Sequence, residues 1–131
     1  MAEEQLVTSE IEEGMRLVRA LDDGGFPVKA ALWLYSGDAQ RWRFVIATTN
    51  LPKDISARIR QAVDIAAAWR AKHPGEALLD LARVSFVGEY DKLITGLGSV
   101  LRVEGLSQIR FTNNMVNGFF VEDALIHRLA A

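Results

Sequence analysis

Asp123 and His127 stand four residues apart near the C-terminus, with Glu122 beside them and Asn113, Asn114 and Asn117 shortly before. A carboxylate and an imidazole that converge can hold a divalent cation or share a proton as a base pair. The spacing places Asp123 and His127 on one face whether the segment is a strand or a helix. On a strand, Leu125 lies between them and Glu122 points the other way. One functional reading follows: a small metal-assisted hydrolase or nuclease in which Asp123 and His127 hold an ion or activate water and Glu122 assists. A third ligand would have to come from elsewhere, Asp80, Glu89 or Asp91. The residues do not specify which metal. The plainer reading is that the asparagines are turn residues, the acids are exposed and His127 is a surface histidine.

Other chemistries find less to work with. The chain has no cysteine, which removes disulfides, thiolate nucleophiles and cysteine-ligated metals. No serine sits in a G-x-S-x-G elbow, and His73 lies beside Pro74 at a helix end, a capping position. Thr95-Gly-Leu-Gly-Ser99 lacks the Lys-Ser/Thr of a phosphate loop and the third glycine of a dinucleotide fingerprint. Close helix–sheet packing explains these glycines better. No cofactor is indicated.

The elements that must position these residues are more legible. Val28 to Tyr35 and Arg41 to Thr48 are rich in aromatic and β-branched residues, and Gly37-Asp-Ala-Gln40 supplies turn chemistry between them. With a four-residue loop, Tyr35 faces Trp42, Trp33 faces Phe44 and Ala31 faces Ile46. Leu32, Leu34, Val45 and Ala47 occupy the other side. A hairpin apolar on both faces needs a cover on each, from a helix or from another chain. Alternation points Trp42 away from Arg41 and Arg43, so the tryptophan belongs to an aromatic core and the arginines to ion pairs rather than to a nucleic-acid clamp.

Residues 9–23 read as a helix with Ser9 and Glu12 at capping-box spacing and Ile11, Met15, Val18 and Leu21 as its buried stripe. Residues 54–72 read as the strongest helix, led by Asp54, with Ile55, Ile59, Ala62, Ala66 and Trp69 on its core face and Val63 and Ile65 widening it. A strand is expected over 82–87, and a helix over 89–101 despite Gly96 and Gly98, which each cost it roughly 1 kcal/mol. A strand is expected over 108–112; Phe119-Phe-Val121 follows a tight Asn117-Gly118 turn, and 121–129 continues as a strand in preference to a helix led by Glu122 and Asp123. The order α-β-β-α-β-α-β-β gives an α+β domain with a mainly antiparallel sheet and helices packed on it.

The chain's 131 residues fit one domain, 1–131. No run approaches the roughly 18 apolar residues of a membrane helix, and Met-Ala-Glu-Glu-Gln lacks the basic start of a secretory leader. A soluble cytoplasmic protein is expected. The net charge of −2 conceals an acidic segment 1–26, with seven acids and two bases, and a basic segment 27–75, with eight bases and three acids. The bases are interleaved with acids, so an acidic helix near a basic helix and hairpin is favoured over nucleic-acid binding. The reading best supported by the residues is a non-catalytic protein-interaction or oligomerisation module. Its partner is another protein or a second copy, and the interface residues are Leu32, Leu34 and Val45.

Overall fold

The hairpin forms in the expected register. In the computed structural model, which describes residues 5–51 and 53–130, β1 (Ala30–Ser36) pairs antiparallel with β2 (Arg41–Thr48) and sets Tyr35 against Trp42, Trp33 against Phe44 and Ala31 against Ile46. The first four residues, read above for a secretory leader, lie outside the described residues. Around the hairpin stand α1 (Thr8–Asp23), α2 (Ile55–Lys72), a 3-10 turn (Leu81–Arg83), β3 (Val84–Gly88), α3 (Lys92–Gly98), β4 (Ile109–Val116) and β5 (Phe119–Leu129). The five strands form one sheet in the order β3-β2-β1-β5-β4. Among the described residues only β2 and β3 run parallel, joined through α2. The α+β class and element order match the expectation.

Both faces of the hairpin are covered from within the chain. Trp33, Phe44 and Ile46 pack with Leu17 and Leu21 of α1 and with Ala62 and Ala66 of α2. Leu32, Val45 and Ala47 pack with Ile94 and Leu97 of α3 and with Val121, Ala124 and Ile126 of β5. Trp33 and Phe44 pack with ring centroids 4.9 Å apart, and Tyr35 meets Trp42 edge-on at 5.5 Å.

Several details depart from the sequence reading. The start of α1 is set at Val7, whose N–H donates to the Glu10 carboxylate at 3.3 Å, so the capping interaction lies two residues before the Ser9–Glu12 pair. Its buried residues are Gly14, Leu17, Val18, Ala20 and Leu21, with Ile11 and Met15 half-buried. The acids of α1 meet arginines from outside the basic segment: Glu10 pairs with Arg83, and Asp22 with Arg128 at 2.8 Å. Asp54 stands at the N-cap of α2 with no capping hydrogen bond to its side chain. Of the seven apolar positions expected to bury α2, only Ala62 and Ala66 do so fully. Ile55, Ile59 and Val63 remain 39%, 43% and 47% exposed. Residues 81–83 turn as a 3-10 helix because Asp80 accepts the Ala82 N–H at 2.9 Å, so β3 begins only at Val84. The helix expected over 89–101 shrinks to Lys92–Gly98, since Asp91 caps it by accepting from Leu93 (3.0 Å) and Ile94 (3.4 Å). Glu89 stays in the strand ladder, donating to Thr48 O at 3.0 Å.

The C-terminal hairpin turns as predicted. Asn117 and Gly118 have φ of 51° and 86°, the signs a type I′ turn demands. β4 runs past the expected end at Thr112 to Val116, accommodating Asn113 at φ 51°.

Candidate functional site

The C-terminal acids and His127 do lie on a strand, in three unlike environments. Asp123 receives two hydrogen bonds from the Arg110 guanidinium, both 2.6 Å, and that guanidinium also lies 5.6 Å from the centroid of the Trp42 ring. The bond to Asp123 holds the Arg110 pKa above its ordinary value. His127 sits farther along the same face, and four strand residues separate the two by about 13 Å. Glu122 points the other way, its carboxylate against Gly37, where an added Cβ would stand 2.9 Å from Oε1. The candidate triad is therefore dispersed. Among the described residues no three histidine, aspartate or glutamate side chains gather in a way that could hold a metal ion.

His127 is no surface histidine: it is fully buried. The register between β1 and β5 slips there, with Ala31 opposite Arg128 and Leu32 opposite Ile126, so His127 is the extra residue of a bulge. Alternation sets His127 on the face of Leu125, and the bulge brings Arg128 onto the same face, toward Asp22 of α1. Arg128 bonds both carboxylate oxygens of Asp22 at 2.8 Å and donates to Gly105 O at 2.6 Å. The His127 ring lies 6.1 Å from Phe44, and its Nδ1–H donates to Ser107 O at 2.7 Å. A carbonyl can only accept, which fixes the neutral tautomer and leaves the lone pair on Nε2. That atom is enclosed without a hydrogen-bond partner among the described residues. Burial lowers the His127 pKa, opposed by the bond to Ser107. The arrangement suits a locked core histidine.

A concave feature lies on the opposite face of the sheet. The seven residues of α3 span about 10 Å, against about 36 Å for the eleven of β5, so a short helix leaves much of its face uncovered. A groove of about 470 Å3 opens there, floored by Leu34, Val45, Val87, Leu93, Phe119 and Val121. Its polar lining includes Asp38, Asp91, Glu122 and Arg43, three carboxylates to one guanidinium. Arg43, expected in an ion pair, donates to Ser85 Oγ at 3.3 Å. Phe119 and Phe120 stand 48% and 60% exposed at the mouth.

The predicted interface residues separate across this geometry. Leu32 and Val45 are both buried inside the chain, Val45 at the base of the groove, whereas Leu34 is half-buried on its floor. Alternation in the hairpin showed that the face was apolar, but the phenylalanines across it come from a strand more than seventy residues away and carry no local signal.

No protein-family model matches the chain, and no curated protein or solved structure is recognisably similar to it. No helix among the described residues is long and apolar enough to cross a membrane.

Proposed function

We propose that the protein is a non-catalytic protein-interaction module, acting in the cytoplasm, whose docking surface is the groove beside α3. The observation that carries this reading is a groove in which half-buried Leu34, Val87 and Leu93 and exposed Phe119 meet solvent under a carboxylate-rich rim. Each bulky apolar side chain a partner seats there contributes about 1.5–3 kcal/mol. A symmetric groove-to-groove contact would set Asp38, Asp91 and Glu122 against their own copies. The charge balance therefore favours a partner segment with a bulky apolar residue flanked by lysine or arginine. A cysteine-free chain suits a reducing compartment.

Panning random peptides against the full chain tests the reading. Enriched peptides should share that apolar-plus-basic pattern and lose binding to Leu34→Asp and Phe119→Ser variants that remain folded. Failure to enrich a shared pattern, or binding that survives both substitutions, would sink it.

A further inference from the structure

We infer that β3 is a homodimer interface, pairing antiparallel with β3 of a second copy to join two five-stranded sheets into one of ten strands. The inference does not depend on what fills the groove, although Arg43 and Asp91 border both surfaces.

The two ends of the sheet differ. β4 carries Arg110, and its ladder with β5 is interrupted at Asn113, which has a left-handed backbone. Such features blunt an edge. β3, Val84-Ser-Phe-Val-Gly88, has no charge, no proline and no bulge. It lies at the sheet's end with β2 as its neighbour among the described residues.

The hydrogen-bond phase of β3 is self-complementary. Glu89 donates to Thr48 O, so Ser85, Val87 and Glu89 turn their backbone groups toward β2 and Val84, Phe86 and Gly88 turn theirs outward. The Val84 N–H is used by Leu81 O, and the Gly88 carbonyl by the Asp91 N–H at 3.1 Å. What remains outward is the Val84 carbonyl, both groups of Phe86 and the Gly88 N–H. A two-fold axis through Phe86 pairs Phe86 with Phe86 of the other copy and Val84 with Gly88. The two groups already consumed are the ones that would have bonded each other. The four groups remaining on each copy find partners on the other, which is the accounting a buried strand edge requires.

Charge follows the same symmetry. Arg43, and Arg83 with its partner Glu10, lie toward the N-terminal end of β3, Glu89 and Asp91 just past its C-terminal end. An antiparallel pairing brings the basic end of each copy to the acidic end of the other.

The exposed ridge of α2 completes the contact. α1 touches α2 on one flank, where Ile65 closes on Gly24. Ile55, Ile59 and Val63 lie on the flank away from α1, and Ile55 shares a depression with Phe86 and Gly88. Because β2 and β3 are parallel, α2 runs back against them. The four residues from Ile55 to Ile59 rise about 6 Å and two strand residues from Gly88 span about 6.6 Å, so Ile59 lies level with Phe86. The same two-fold then sets Ile59 beside Ile59 and Ile55 beside Val63 of the second copy. Strand pairing and helix contact share one axis.

Sedimentation of the full chain from low micromolar to millimolar concentration, with amide hydrogen exchange, tests this. Wild type should approach twice the 14.5 kDa chain mass. The Phe86 and Gly88 amides should exchange slowly as a dimer and rapidly on dilution, while Ser85 and Val87 stay protected throughout. Ile59→Asp should give a folded monomer with Phe86 and Gly88 exchanging freely, and Val63→Lys serves if that variant fails to fold. Leu34→Asp should leave the dimer intact, and Ile59→Asp should leave peptide capture by the groove intact. A wild type that is monomeric throughout overturns the inference. So does a dimer that survives both α2 substitutions, or one that Leu34→Asp dissolves.

Discussion

Acid should destabilise this protein through one residue. His127 is neutral in the fold, its Nδ1 proton on Ser107 O and its Nε2 lone pair enclosed. Protonation would place a charge and an N–H where no acceptor lies, beside the Phe44 ring. Burial sets the folded pKa below the usual 6.5, so the unfolded chain binds more protons between that value and the depressed one. Stability is then full above about pH 6.5 and falls as pH drops through that window, with a limiting slope of about 1.4 kcal/mol per pH unit. For a domain of this size each kcal/mol shifts Tm by about 3–5 °C. The assay is urea denaturation from about pH 7.5 to pH 5 in a His73→Asn background, so that one histidine titrates. His127→Phe should lower stability at neutral pH by about 1–3 kcal/mol, since Ser107 O loses its donor, yet flatten the slope. Parallel pH curves for the two proteins, or a wild type that gains stability on acidification, would refute the reasoning.

Two further substitutions probe packing and charge. Gly96→Ala should cost about 1–3 kcal/mol by urea denaturation despite alanine's helix propensity, because the new Cβ would stand 2.5 Å from Val116 Cγ1 and 2.8 Å from Asn117 Cβ. Asp123→Ala should cost about 1 kcal/mol or less, as Arg110 is largely exposed and returns to water; a loss several times larger would mean the pair holds β4 to β5.

How much could be read beforehand depended on range along the chain. The β1–β2 register follows from alternation across a four-residue loop, and Asn117-Gly118 names its own turn, so both were legible. The bulge was not. It arises where Ala31 meets the C-terminal strand nearly a hundred residues away, and it brings Arg128 onto the face that His127 already shares with Leu125. Helical periodicity found the apolar flank of α2 but could not say that α1 and the sheet would leave Ile55, Ile59 and Val63 outside. Asp123 and His127 did share a face as alternation requires. Sharing a face did not bring them together.

The groove exists because α3 starts late. A helix beginning at Glu89, as the apolar spacing suggests, would add about 4.5 Å at its N-terminal end and lie over the floor near Val87. Asp91 prevents this by capping, and the same carboxylate lines the groove. Its two roles separate by substitution. Asp91→Asn keeps an acceptor for the cap and should hold stability within about 0.5 kcal/mol, whereas Asp91→Ala should lose about 0.5–2 kcal/mol. Both remove a rim charge, so lysine- or arginine-flanked peptides should bind each variant more weakly, with a shallower dependence on salt than wild type. Titration at two ionic strengths decides the matter: Asp91→Asn binding as tightly as wild type, with the same response to salt, would show that the rim does not recognise charge and that apolar burial alone selects the partner.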